Sequence, residues 1–191
     1  MRGRGQGESP KRISKFLALI LRHNPGAGGI SLDAQGWADV EHVLAAVAKR
    51  FGDFDRARLE EVVRTNDKSR YAFNEAGDKI RANQGHSVPV NLALAAVEPP
   101  PVLYHGTVAR FLGAILEEGL IKGKRHHVHL SPDVATALNV AGRRSGETVV
   151  LEVQSGRMRG HSFFRSANCV WLTDHVPPEF LRVLPLSTPP R

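Results

Sequence analysis

The sequence predicts an α+β protein of two lobes, from three observations. Residues 11–82 hold three amphipathic segments and then two short strand-like pieces around a turn. Residues 95–101, AAVEPPP, break the periodicity with a run of prolines. Beyond them, short β-branched runs alternate with helical ones. These features divide the chain into a disordered tail (1–10), a first lobe (11–94), a Pro-rich linker (95–101) and a mixed second lobe (102–191). Three helices followed by a β-hairpin is the order of a winged helix, although a fold alone does not assign a function.

The elements follow in order. In KRISKFLALILRH (11–23), Ile13, Phe16, Leu17, Ile20 and Leu21 share one helical face. Pro25 keeps Asn24 out of the α region, so this helix ends near His23. Ile30-Ser31-Leu32 reads as a short strand. Asp39 is an N-cap for VEHVLAAVAKRF and Asp55 for RARLEEVVRT. SRYAFNEAGDKIRAN reads as a hairpin turning at Asn74–Gly77. In the second lobe, VLYHGT, HHVHLS, ETVVLEVQ, CVWLT and FLRVLPL read as strands. ARFLGAILEEGL and the stretch from Asp133 to Gly142 read as helices, the latter capped by Ser131 or Asp133. Trp37 and Trp171 read as core residues.

Composition narrows the class. Hydrophobic residues are 41% and charged residues 24% of 191, the balance of a soluble globular protein. No apolar run is long enough to span a bilayer, and MRGRGQGESPKR lacks the apolar segment of a signal peptide. The single cysteine, Cys169, allows no internal disulfide, which fits the cytoplasm. The net charge of +7 is spread over both halves and suits a polyanionic partner. There is no GxGxxG after a strand, no GxxxxGK[ST] and no HExxH. His126, His127 and His129 have no carboxylate or thiolate companions in sequence, so no metal site is expected.

What remains is a set of cations in polar loops. Arg22-His23 closes the first helix. Arg70 opens a hairpin strand, Gln84-Gly85-His86-Ser87 follows the hairpin, and Arg143-Arg144 sits before ETVVLEV. A cation in a last helical turn suits the helix dipole, so Arg22-His23 alone is read as structural. Together the arginines suggest phosphate binding, because a guanidinium presents a donor fork that matches phosphate oxygens two at a time.

Eight ordered segments carry a resemblance: KRISKFLALILRH, DxxGWADV (33–40), RTNDKSRYAF (64–73), IRANQGHS (80–87), LYHGT (103–107), HHVHLS (126–131), GRRSG (142–146) and FFRSANCVWLT (163–173). From about Lys11 to Leu184 the chain resembles the RNA 2′-phosphotransferases of the KptA type. The resemblance implies an ADP-ribosyltransferase-like second lobe that uses NAD⁺ as co-substrate without a Rossmann fingerprint. The implied reaction has two steps. The RNA 2′-phosphate displaces nicotinamide, and the neighbouring ribose hydroxyl then attacks phosphorus. The products are nicotinamide, RNA with a free 2′-OH and ADP-ribose 1″,2″-cyclic phosphate. The family's catalytic Arg-His-Arg-Arg falls on Arg22, His23, Arg70 and Arg144. Arg144 is preferred to Arg143 because it stands two residues before Gly146, although Ser145 replaces the family's usual His.

The resemblance also implies cofactor contacts from His105, Gly106, Thr107, His129, Ser131, Arg165, Ser166 and Asn168, and substrate contacts from Gln84, His86, Ser87 and Arg143. Cys169 replaces a usual Gly, which costs strain only if φ is positive there. The expected partners are an RNA bearing a 2′-phosphate, such as a spliced tRNA, and NAD⁺, bound by a cytoplasmic monomer without metal or membrane. Arg22 and His23 would then face a cleft between the lobes. Two other readings stay open: an ADP-ribosyltransferase on nucleic-acid phosphates that stops after the first step, and a non-catalytic winged-helix nucleic-acid binder.

Overall fold

The structure is a computed structural model that describes residues 9–66 and 69–185. Of the tail expected at 1–10, residues 1–8 lie outside the described residues, as do Asp67-Lys68 of the RTNDKSRYAF segment and residues 186–191 of the second lobe. The chain divides into two compact units, Met1–Ala93 and Leu94–Arg191. The fold is mixed α/β.

In the first unit, helix α1 spans Pro10–Arg22. It starts inside the stretch expected to be a tail, with Pro10 in the first turn, where a missing N–H costs nothing. Its five apolar positions are buried as the spacing predicts. Strand β1 is Trp37–Asp39, α2 Val40–Phe51 and α3 Arg56–Arg64. Both expected caps form: Asp39 accepts from His42 N at 3.0 Å and Asp55 from Arg58 N at 2.9 Å. The hairpin strands are β2 (Tyr71–Phe73) and β3 (Lys79–Ala82), giving an antiparallel sheet in the order β1-β3-β2.

The strand expected at Ile30–Leu32 does not form. Ile30 is buried in the core, so its apolar character reported burial and not extended pairing. Asp33 instead accepts from the backbone N–H of Gln35 and Trp37, turning the chain so that Trp37 pairs with Arg81. Trp37 is only half-buried, with the Arg81 guanidinium 4.3 Å over its ring, whereas Trp171 is buried as expected.

The second unit contains β4 (Leu103–Val108), α4 (Leu112–Glu118), β5 (Leu120–Ile121), β6 (Val128–Leu130), α5 (Val134–Ala141), β7 (Thr148–Val153), β8 (Phe163–Arg165), β9 (Trp171–Thr173), β10 (His175–Val176) and β11 (Leu181–Leu184). The sheets run β11-β7-β4, β6-β9-β8 and β5-β10. Strands β5, β8 and β10 are too short to show a period of two, which is why the sequence reading passes over them. Asp133, and not Ser131, caps α5, accepting from Thr136 N at 2.7 Å. The Pro-rich stretch is fastened to this unit: Ala96 bridges to Phe164, Ser155 Oγ donates to Pro100 O at 2.7 Å, and Gly156 N donates to Pro101 O at 2.9 Å. Among the described residues, no helix is long and apolar enough to cross a membrane.

Candidate active site

In the first unit, His23 is the C-cap of α1, where its N–H still bonds Leu19 O. The chain after β3 returns to this helix end: Ser87 N donates to Arg22 O at 2.9 Å, and Ser87 Oγ lies 3.0 Å from His23 Nδ1. Arg22, His23 and Ser87 therefore form one constellation, although Ser87 is 64 residues from His23 in sequence. The Nε and Nη2 atoms of Arg22 are buried while the His23 ring is exposed. Arg70 is ordered by Asn66, whose Oδ1 accepts from Arg70 N (3.3 Å) and Nη1 (3.4 Å). Burial raises the Tyr71 phenol pKa, and the positive charges of Arg22 and Arg70 oppose that rise, so both guanidiniums act on Tyr71. Gln84 is half-buried. His86, expected to touch substrate, is 1% exposed and lies beneath the turn at Gly36, whose added Cβ would sit 3.3 Å from His86 Nε2.

In the second unit, a cleft of about 470 Å³ brings together four expected residues, His105, Thr107, His129 and Arg144. His105 and Thr107 line it from one face of β4, while Gly106 between them faces α5. A Cβ on Gly106 would stand 1.9 Å from Ala137 O, so this glycine is required by close strand–helix packing. His105 Nδ1 lies 3.0 Å from His129 O, which can only accept, so Nδ1 carries the proton and Nε2 keeps a lone pair. Burial lowers the His105 pKa, and the charges of Arg144 and Arg125 lower it further, against the raising effect of the His129 carbonyl. The ring is thus neutral at physiological pH. His129 Nδ1 faces Arg125 Nη1 at 3.2 Å; arginine can only donate, so His129 Nδ1 is the acceptor in this contact.

Two cleft residues escape the sequence reading. Arg125 precedes the HHVHLS segment, and partial burial, then Arg144, then Arg143, lower its pKa, a mark of three guanidiniums crowded together. Phe111 is 37% exposed and stands between two cations, Arg110 at 4.9 Å and Arg144 at 5.2 Å from its ring centroid. Arg110 Nη1 also donates to Ser145 O at 3.3 Å, which ties down the loop carrying Arg143 and Arg144. The only sequence signal for this brace was an aromatic beside an arginine, too common to notice.

The expected 165–168 contacts lie elsewhere. Arg165 is exposed and rests over Trp171 at 5.8 Å. Ser166 Oγ donates to Asn168 Oδ1 at 2.8 Å and receives Val170 N at 3.1 Å, closing a tight turn. Cys169 in that turn has φ 61, so the strained alternative holds at this position. Ser131 is buried and bonds Tyr104 through its backbone. None of Arg165, Ser166, Asn168 and Ser131 lines the cleft. Among the described residues no group of His, Cys, Asp and Glu could hold a metal ion.

Residues 8–175 match the profile of the RNA 2′-phosphotransferase, Tpt1/KptA family. The chain is 52% identical to the "Probable RNA 2′-phosphotransferase" of Burkholderia lata, over 90% of this chain and 89% of that one. Proteins of the same name from Flavobacterium johnsoniae (50% identical, covering 90% and 94%) and Streptomyces griseus (51%, covering 89% and 94%) are equally similar. The chain belongs to the RNA 2′-phosphotransferase, Tpt1/KptA family.

Proposed function

We propose that this protein removes an internal 2′-phosphate from RNA and transfers it to NAD⁺, releasing nicotinamide, 2′-OH RNA and ADP-ribose 1″,2″-cyclic phosphate. The first unit is read as a winged helix, on its three helices and small antiparallel sheet, and the second as ADP-ribosyltransferase-like. The observation that carries the reading is the second-unit cleft, in which His105, Thr107, His129 and Arg144 meet.

The cleft fits a dinucleotide in size and chemistry. Cofactor sites run from about 300 to 1,000 Å³, and among the described residues Lys122, Lys124, Arg125 and Arg144 line this one against a single carboxylate, Glu118. Such a lining suits an anionic pyrophosphate. NAD⁺ supplies an electrophilic ribose carbon whose bond to nicotinamide breaks with loss of a positive charge. His105, neutral with a lone pair on Nε2, is suited to accept a hydrogen bond from a ribose hydroxyl. Arg144 supplies charge where phosphorus is attacked, and Arg22 and Arg70 hold the 2′-phosphate. Their task is positioning and charge stabilisation, the dominant needs of a crowded anionic phosphorus. His23 is the member of the set able to exchange protons near neutrality and is assigned proton transfer to the departing RNA 2′-oxygen.

The test is incubation with NAD⁺ and a short RNA carrying one internal 2′-phosphate. Cyclic-phosphate ADP-ribose and dephosphorylated RNA are expected. Accumulation of ADP-ribosylated RNA would favour a transferase that stops early. RNA binding without NAD⁺ consumption would leave only a nucleic-acid binder.

A further inference from the structure

The first unit has a groove of about 460 Å³ lined by α1, by Val62 of α3 and by Thr65, Asn66 and Arg70 beyond it. On α1 the lining residues are Pro10, Lys11, Ser14, Lys15 and Ala18. Positions 11, 15, 18 and 22 recur at helical spacing, so Lys11, Lys15 and Ala18 form one stripe that ends at Arg22. At 1.5 Å per residue the stripe is about 16 Å long. Lys11 and Lys15 are exposed, on the side of α1 opposite its buried face.

The groove is preformed at its deep end. Asn66 Nδ2 donates to Ser14 Oγ at 3.2 Å while its Oδ1 holds Arg70, and Tyr71 Oη donates to Ser14 O at 2.6 Å. One asparagine thus couples the wall of α1 to Arg70. Three cations and, among the described residues, no carboxylate line the groove. No aromatic side chain lines it either, so bases find no stacking platform there.

We propose that the groove between α1 and α3 is a track for the ribose–phosphate backbone of single-stranded RNA, with Lys11 and Lys15 contacting phosphates of the nucleotides beside the one that bears the 2′-phosphate. This rests on the reading that the chain acts on RNA with that phosphate at Arg22 and Arg70. Backbone contacts position a strand without reading its bases, so recognition here is independent of sequence.

The experiment measures binding of a labelled single-stranded RNA of about ten nucleotides with one internal 2′-phosphate across a salt series, with turnover measured on the same RNA and on a dinucleotide bearing the same phosphate. Lys11→Glu and Lys15→Glu should each weaken binding of the longer RNA about ten-fold and flatten the slope of log Kd against log salt by about 0.7, the value for one lost single-strand phosphate contact. The dinucleotide should suffer less than the longer RNA. Lys49→Glu, an equal charge change at an exposed position near the end of α2, should leave both unchanged. Melting curves check that each variant folds. If Lys15→Glu behaves like Lys49→Glu, or if polyglutamate competes as well as RNA of equal charge, the track is wrong. If the wild type consumes no NAD⁺ on either RNA, the proposed function fails, and the salt slopes still decide the groove.

Discussion

The cations of the first unit and those of the second are held by different means. In the first unit, hydrogen bonds hold Arg70 through Asn66 and fasten the backbone carbonyl of Arg22 through Ser87 N. Arg144 is exposed and is held through an aromatic ring and a braced loop. The first arrangement ties down the chain around Arg22 and Arg70, with Nε and Nη2 of Arg22 buried. The second sets guanidiniums beside the half-buried imidazole of His105, whose pKa is lowered first by burial and then further by the charges of Arg144 and Arg125. Under the proposed function, the first unit grips the 2′-phosphate and the second offers a cleft whose imidazole is tuned by burial and by charge.

The largest test of that contrast is Arg144→Ala. Loss of one well-aimed donor typically costs about 100–1000-fold in rate. Single-turnover kinetics should show that fall with RNA affinity nearly unchanged, and turnover within a few-fold of wild type would remove Arg144 from the catalytic set. Next comes Gly106→Ala, which forces a methyl into the backbone of α5. Overpacking of this kind costs about 1–3 kcal/mol or more, and a clear drop in melting temperature is expected without any change in the charge of the cleft.

Acid should distinguish the cleft by a third route. The His105 and His127 pKa values are lowered, first by burial. Between the lowered folded value and the ordinary value near 6.5, the unfolded chain binds more protons than the folded one. Stability therefore rises with pH through that window, and it falls as pH drops below about 6.5. Melting temperatures from pH 7.5 to 5 should show this fall, and His105→Gln should flatten it. The smallest effects separate the two ways of holding a cation. Phe111→Ala removes cation–π contacts worth about 0.5–2 kcal/mol and should slow turnover several-fold without unfolding the protein. Ser87→Ala removes the His23 contact, worth about 1 kcal/mol, and should mainly shift the pH dependence of turnover. Equal effects of both on RNA affinity alone would erase the contrast.

Much of the fold was legible because its signals are local. Asp39, Asp55 and Asp133 cap helices from within three residues, and the face of α1 is written in a period of 3.6. Arg22 and His23 could be singled out because they adjoin a helix stop. Arg125 and Phe111 could not, since the Arg144 that each meets in the cleft comes from a loop remote in sequence. Ile30–Leu32 misled because an apolar triplet reports burial, and the hydrogen-bonding partner that makes a strand went to Trp37–Asp39 instead.

By itself the amino-acid order settled where α2 and α3 begin, which face α1 buries and which family the motifs resemble, because each depends on contacts a few residues long. Only the tertiary structure decided that Gly106 must lie bare against α5, that His105 carries its proton on Nδ1, that Cys169 takes a left-handed backbone and that Lys11 and Lys15 line a groove with Arg70. Those features depend on partners brought together from far apart along the chain, and no local spacing encodes the distance between them.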